Sequence, residues 1–346
     1  MNRKKVLFFG ELAPGVVHGI SLSNRLNVDL LSQHTEMHII EELTDLAAHG
    51  KRNRSKFLGA FRSIKKIFTL NRLNRCDYLY TVFSLSTFGS LKTLGSLIGF
   101  RSSGKGQVVL HIHRGDFHAF YNRSVVNRWI ATLVFWLTDK LIVLSERQKD
   151  YFVRYVDEKK LRVLENSLNT EHEFSDRTVG DSKFIFISNY IEEKGVFELL
   201  DVFEKNNEIE LKCFGRFVNN QDAIEKYSSQ TIHIQSFIDG EEKFRQIHES
   251  DALILPSWNE GQPTIILEAM MVGTIVLTTR VGLIGEMLGD DYPFYFDEKN
   301  SDSLKLCIAK FRSYKDKEEL SRKLKDNYRQ HYSKDMHEQK LLRIFS

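Results

Sequence analysis

The 346-residue chain has little cysteine, only Cys76, Cys213 and Cys307. Three scattered thiols, an odd number, exclude a disulfide framework and fit a reducing compartment, where each is expected to be a small buried hydrophobe. Long apolar runs are missing as well. The stretch from Trp129 to Leu137 is interrupted by Thr132 and falls short of the ~20 apolar residues that a spanning helix needs. The start, Met1-Asn2-Arg3-Lys4-Lys5, leads into a run from Val6 to Phe9 that is too short for a signal-peptide core and is soon followed by Glu11, so a cytoplasmic chain is expected. The twelve histidines and three cysteines show no zinc-ligand spacing. An Asp-x-Asp motif is absent, Asp239-Gly240-Glu241 being a weak substitute. No obligatory metal or cofactor is therefore expected. Zinc-finger, ribonucleoprotein and basic-zipper patterns are absent too, which argues against nucleic acid as a partner.

What is present is a globular composition with 42% apolar residues, in a chain long enough for two domains. The formal net charge of +3 conceals an asymmetry. Residues 1–170 carry 26 basic and 14 acidic residues, a net of +12, and residues 171–346 carry 23 and 32, a net of −9. Short apolar runs at 5–10, 37–40, 77–82, 107–112, 141–144 and 162–164 alternate with helix-periodic segments. One of these begins near Ser21, with Leu22, Leu26, Leu30 and Leu31 on one stripe, and another spans 121–137. The pattern restarts at Lys183 after a polar stretch from Asn169 to Ser182. Such alternation predicts parallel sheets covered on both faces, hence an α/β chain of two Rossmann-like domains facing across a cleft. The domains are expected at 1–170 and 183–325, with a helical tail at 326–346 packing back toward the first.

Between residues 46 and 76 stand nine basic residues and no acidic one, with Phe57, Leu58, Phe61, Ile64, Phe68 and Leu73 at roughly helical spacing. The 51–75 segment has the composition of a helix lying on an anionic membrane surface, although a core-packed helix with a solvated basic face would read alike.

The sharpest pattern is Leu255-Pro256-Ser257-Trp258-Asn259-Glu260-Gly261-Gln262-Pro263-Thr264-Ile265-Ile266-Leu267-Glu268-Ala269-Met270. It reads as a strand end, a loop with Glu260 and Gly261, and a helix with Pro263 in its first turn. Thr264 and Glu268, four apart, share a helix face. Unpaired amides at that helix start suit a diphosphate, Gly261 permits close approach, Glu268 suits the hydroxyls of a ribose, and Glu260 suits the attached sugar.

This phrase resembles retaining glycosyltransferases of family 4, the group 1 transferases of GT-B architecture, whose signature is two glutamates separated by seven residues. The resemblance extends over nearly the whole chain and is strongest over 183–290. It implies transfer of a hexose or N-acetylhexosamine from a nucleotide-diphosphate sugar, UDP-linked by preference and GDP-linked as the other choice, with retention of configuration. It also implies a glycan or lipid-linked glycan acceptor in bacterial surface-polysaccharide assembly, lipopolysaccharide or capsule, on the cytoplasmic face of the membrane. Lys194 matches the lysine that holds the donor diphosphate. Asn189 stands where the family usually has arginine, with Arg114 or Arg216 as substitutes for the lost charge. His113, in His111-Ile112-His113-Arg114-Gly115-Asp116, matches the histidine near the reacting centre, and Asp116 either meets an acceptor hydroxyl or caps the next helix. Gly19 in the Pro14–Ser21 loop matches the family's first glycine loop, with His18 and Arg114 toward the acceptor. Arg216 and Ile238 lie where phosphates and nucleobase are accommodated, and Leu283 replaces a second glycine after Gly282. The resemblance thus makes Glu260, His113 and Lys194 the catalytic set. A catalytically degenerate scaffold or partner subunit, and a nucleotide-sugar epimerase, are the other readings, and a homodimer stays open.

Overall fold

The alternating runs build two six-stranded parallel sheets, one in each of two units: Met1–Asn169 with Lys334–Ser346, and Thr170–Ser333. The computed structural model describes residues 3–15, 19–42, 54–113, 115–170, 172, 174–176 and 178–346.

The first unit runs β1 (Lys5–Gly10), α1 (Gly19–His34), β2 (Glu36–Glu41), α2 (Arg54–Asn74), β3 (Tyr78–Val82), α3 (Thr87–Ser103), β4 (Gln107–His111), α4 (Phe117–Asn122), α5 (Val125–Leu137), β5 (Lys140–Val143), α6 (Glu146–Phe152) and β6 (Leu161–Val163). Its strand order is β2-β1-β3-β4-β5-β6. The second unit continues with β7 (Lys183–Ile187), α7 (Val196–Glu204), β8 (Glu210–Phe214), α8 (Gln221–Glu225), β9 (Ile232–Gln235), α9 (Gly240–Glu249), β10 (Ala252–Leu255), α10 (Thr264–Val272), β11 (Ile275–Thr279), α11 (Ile284–Leu288), β12 (Tyr295–Phe296), α12 (Ser301–Ser313) and α13 (Lys317–Asn327). Here the order is β12-β11-β10-β7-β8-β9. The last helix, α14 (Lys334–Ile344), belongs to the first unit. Both units are Rossmann-like, the α/β architecture that the alternation predicts.

The period-2 geometry of the first sheet sorts its side chains. Leu7, Phe9, Leu79, Val108, Leu110, Leu141 and Val143 share a core with Ile67 of α2, Leu97 and Phe100 of α3, and Ile130, Val134 and Phe135 of α5. The intervening Val6, Phe8, Tyr78, Tyr80, Val109 and Ile142 meet Leu26, Leu30 and Leu31 of α1 and Leu341, Ile344 and Phe345 at the end of the chain. Helices α2, α3 and α5 therefore cover one face of the sheet, and α1 and α14 the other.

Two local expectations change. The helix predicted over 121–137 is interrupted: Ser124, extended at φ −162, accepts the Asn127 amide and starts α5 as a fresh helix. On α1, Leu22 is 40% exposed while Ser23, Asn24 and Asn27 are buried. The buried stripe of α1 is thus partly polar, and fixed acceptors meet its donors: Ser23 donates to Asn166 Oδ1 at 3.0 Å and Asn24 Nδ2 to the Glu11 carbonyl at 3.0 Å.

Phe345 stacks edge-on against Tyr78 and Tyr80, with centroids 5.2 and 5.5 Å away, and Lys140 donates to the Ile344 carbonyl at the end of α14. Phe345→Ala should destabilise the first unit by about 3–4 kcal/mol. Urea unfolding followed by hydrogen exchange will show lowered protection of β1 and β3 with that of β7 and β10 unchanged.

Candidate functional site

The second sheet reverses its strand order between β7 and β10, the place outside strand carboxyl ends where open α/β sheets bind ligands. After β7 the chain passes Ser188 and Asn189 and makes one 3-10 turn, Glu192–Lys194, ended by Gly195 at φ +65. A Cβ on Gly195 would lie 2.2 Å from the Pro256 carbonyl oxygen, so glycine alone lets the two strand ends press together. The Trp258 N–H donates to the Glu193 carbonyl at 2.9 Å and pins the second loop to the first. From behind, Gly282 at φ +60 leaves no room for a side chain, since its Cβ would stand 2.1 Å from the Glu260 carbonyl oxygen. Leu283 N–H donates to the Gly261 carbonyl at 2.9 Å, and its side chain is buried. Leucine therefore fits the second position of that loop; only Gly282 is sterically required.

This packing brings Lys194 and Glu260 together: Nζ lies 2.7 Å from Oε1, with side chains 24% and 11% exposed. Gly261 continues the loop. Helix α10 begins at Thr264, so Pro263 stands at its cap rather than inside the first turn, with extended ψ 121. Proline offers no side-chain acceptor, and the leading amides of α10 receive no side-chain cap. Thr264 is half-buried at that end.

Glu268 lies inside α10 and is buried. Its Oε1 accepts from Lys243 Nζ of α9 at 2.9 Å, and Lys243 also lies 3.4 Å from Asp239. Oε2 of Glu268 is buried with no hydrogen-bond partner, which leaves a shielded acceptor for a hydroxyl. Burial pushes the Glu268 carboxyl up, and Lys243 offsets part of that. Burial pulls the Lys243 ammonium down, but Glu268 and Asp239 overcome it and hold it above the usual lysine range. Lys243 escapes sequence reading because Glu241-Glu242-Lys243 looks like a solvated charge run. The i,i+4 step from Asp239 to Lys243 is the one local hint.

Around this pair the other candidates spread out. Asn189 is exposed beyond β7. Arg216 lies with its guanidinium 4.5 Å from the Phe237 ring centre, and its carbonyl accepts the Tyr190 N–H at 3.0 Å. Ile238 lines a cavity of about 310 Å³ with Phe214, Ser236, Phe237 and Gln246, at the carboxyl ends of β8 and β9. No group of three or more His, Cys, Asp or Glu is placed to hold a metal ion among the described residues.

In the first unit, Gly19 opens α1 with free space where a Cβ would project. Asp116 stands at the cap of α4 without a side-chain cap bond, its carbonyl accepting the Phe120 N–H at 3.3 Å. His18 and Arg114 lie outside the described residues. His113 is buried two residues past His111, and their rings approach to 3.7 Å between centroids. His111 Nδ1 lies 2.9 Å from the Tyr80 hydroxyl, Tyr80 lies 2.8 Å from the Asn27 amide, and Asn27 lies 2.5 Å from His337 Nε2 on α14. His337 Nδ1 faces the Glu165 carbonyl at 2.8 Å.

That carbonyl can only accept, so Nδ1 of His337 carries a proton. With Asn27 Oδ1 toward His337, Nε2 would need a second one. A neutral His337 instead requires the Asn27 amide turned about, its nitrogen toward His337 and its oxygen accepting from Tyr80. Tyr80 then accepts Nδ1–H of His111. Burial favours this neutral chain: it holds His111 well below the usual histidine range and His337 down to about 4.

The unfolded chain takes up protons on these rings near pH 6.5 and the folded chain does not. Their stabilising contribution is therefore complete above pH 6.5 and is lost as pH falls below it, that of His337 between 6.5 and about 4. Urea midpoints measured across that range should fall, and the fall should be shallower in His337→Gln. Lys243→Met should cost about 3 kcal/mol of stability by stranding Glu268, and Lys243→Met with Glu268→Gln should recover part of it, read by chemical denaturation.

Residues 169–331 match the family model described as Glycosyl transferases group 1. The chain is 25% identical over 197 residues to the uncharacterized glycosyltransferase MJ1178 of Methanocaldococcus jannaschii, covering 56% of this chain and 54% of that one. It is 22% identical over 219 residues to the O-antigen biosynthesis glycosyltransferase WclY of Escherichia coli, covering 58% and 61%. The chain thus spans little more than half the length of these curated relatives. Sucrose-phosphate synthase from Thermosynechococcus elongatus has the same fold, with a TM-score of 0.79 at 12% identity over 99% of this chain and 98% of that one. Two Rossmann-like units thus give the chain the fold of the GT-B type, and the second unit matches the group 1 model.

Proposed function

We propose that this chain is a retaining glycosyltransferase that moves a hexose or N-acetylhexosamine from a nucleotide-diphosphate sugar, UDP-linked by preference, to a lipid-linked glycan during surface-polysaccharide assembly. The observation that carries the reading is the Lys194–Glu260 ion pair at the strand-order reversal, on the loop that leads into the helix bearing the shielded free oxygen of Glu268. The group 1 match over the same residues supports it, as does the O-antigen role in the name of the Escherichia coli relative.

In this reading the ion pair is the resting state. An arriving diphosphate competes with Glu260 for the Lys194 ammonium, and the uncapped amides of α10 add partial positive charge on the same phosphates. Glu260, released from Lys194, then orients the sugar and stabilises positive charge at its anomeric carbon. Glu268, held by Lys243, accepts ribose hydroxyls through Oε2. The sugar–phosphate bond breaks, its electron pair leaves with the diphosphate, and the acceptor hydroxyl attacks from the same face. A departing phosphate oxygen takes the hydroxyl proton, so no separate protein base is needed. Within the first unit, His113, Asp116 and the Gly19 loop are the candidates for holding the acceptor. The neutral Asn189 in place of arginine puts more of the phosphate charge on Lys194. The lipid-linked acceptor would put the chain on the cytoplasmic face of a membrane. No described helix is long and apolar enough to cross one.

A panel of nucleotide sugars should contain one that raises the thermal midpoint and, with acceptor, releases free nucleotide diphosphate. Glu260→Ala should lower that release by ~10²-fold or more with little change in stability, since the pair it breaks is partly solvated. Full turnover in this variant would refute the assignment. Donor binding without any release, in the native chain and with every acceptor tried, would favour the partner-subunit reading.

A further inference from the structure

Helix α5 is covered on one side only. Ile130, Ala131, Val134 and Phe135 are buried in the core of the first unit, while Val125, Val126, Trp129, Leu133 and Trp136 are exposed by 44–73% at helical spacing. Two of the chain's three tryptophans thus stand on an open face. Scattered exposed apolar residues are ordinary, but this concentration is not. Of the sixteen large apolar side chains left exposed among the described residues, ten belong to α2, α3 and α5. Leu91 and Ile98 project from α3 and Leu58 and Phe61 from α2, all 47% exposed or more.

These three helices lie side by side on one face of the first sheet. Ile64 of α2 seats against Gly95 and Gly99 of α3, where a Cβ would meet it at 2.6 and 3.2 Å, and α5 shares the core beneath α3. Their outward sides therefore face the same way. None of the three helices contains an acidic residue. The outward side of α2 instead carries Arg62, Lys65, Lys66 and Arg72, all exposed. Lys51 and Arg52 of the basic segment lie outside the described residues.

We infer that the acid-free outer face of α2, α3 and α5 is a docking surface for an anionic lipid bilayer, with Trp129 and Trp136 set into the headgroup boundary and the α2 cations on the lipid phosphates. A second copy docked through the same face would need acids on this patch to answer its cations, and the three helices carry none. Tryptophan favours the boundary because its ring is apolar and its indole N–H is not. Long basic side chains reach phosphates while their stems cover apolar surface. The inference deepens the peripheral-membrane part of the proposal above, but it stands on surface chemistry and is tested without turnover.

The full chain should pellet with vesicles of phosphatidylcholine and phosphatidylglycerol and much less with phosphatidylcholine alone, and added salt should weaken the binding. Each lost basic residue should cost about fivefold in partitioning, so Lys65→Gln with Lys66→Gln should cost roughly 25-fold. Trp129→Ser with Trp136→Ser should abolish pelleting while circular dichroism and thermal midpoint stay native. In Trp258→Phe, brominated anionic lipid should still quench the two remaining tryptophans. Equal binding to neutral vesicles, absence of quenching, or loss of a dimer in place of loss of vesicle binding in the double tryptophan variant would each overturn the inference. A chain that transfers sugar normally yet fails these tests would leave the transferase reading intact and remove this one.

Discussion

Two strand ends in the second unit can come close only because Gly195 has no side chain to set against the Pro256 carbonyl. That contact fixes where the β7 and β10 loops begin. The Trp258–Glu193 hydrogen bond and the Gly282 backbone behind Glu260 then fix where they go. The ion pair between Lys194 and Glu260 follows from this packing, since both side chains rise from loops whose backbones are already clamped. A site built on strand ends at a reversal of strand order is therefore rigid in its frame and exposed in its chemistry.

Buried polar groups repeat one theme in both units. Glu268 would be costly inside α10 without Lys243, and the pair still leaves one carboxylate oxygen unserved. In the first unit, Asn27, Tyr80, His111 and His337 share hydrogen bonds through a neutral chain that joins the final helix to the end of β4. The two arrangements differ in kind. One keeps full charges apart from water by pairing them, while the other keeps titratable rings uncharged. The first ties α9 to α10, and the second ties the last helix to the end of β4.

Much of the fold was legible one residue run at a time. Strands buried on both faces read as unbroken apolar segments, and their alternation with helices implies parallel sheets. Glu260, Gly261, Pro263 and Glu268 were legible because one strand–loop–helix unit carries them within a few residues. Lys243 was not: it lies 25 residues from Glu268, and nothing in its local run distinguishes it from a solvated lysine. The relay between His337 and Asn27 spans 310 positions and has no local pattern at all. Helix α5 is apolar around most of its circumference, so periodicity could not tell its packed side from its open one.

By itself the sequence determined the alternation of elements, the two α/β units, the acid-free stretch around α2 and the local phrase that carries both glutamates. These depend on neighbours within a few turns or one strand, where side-chain periodicity is a direct consequence of backbone geometry. The tertiary structure decided which charges meet, which histidines are neutral, that Leu283 fits its turn, and that α2, α3 and α5 turn a single apolar and basic face outward. Those depend on contacts between segments far apart in the chain and on the exclusion of water from them, neither of which is written in any local pattern.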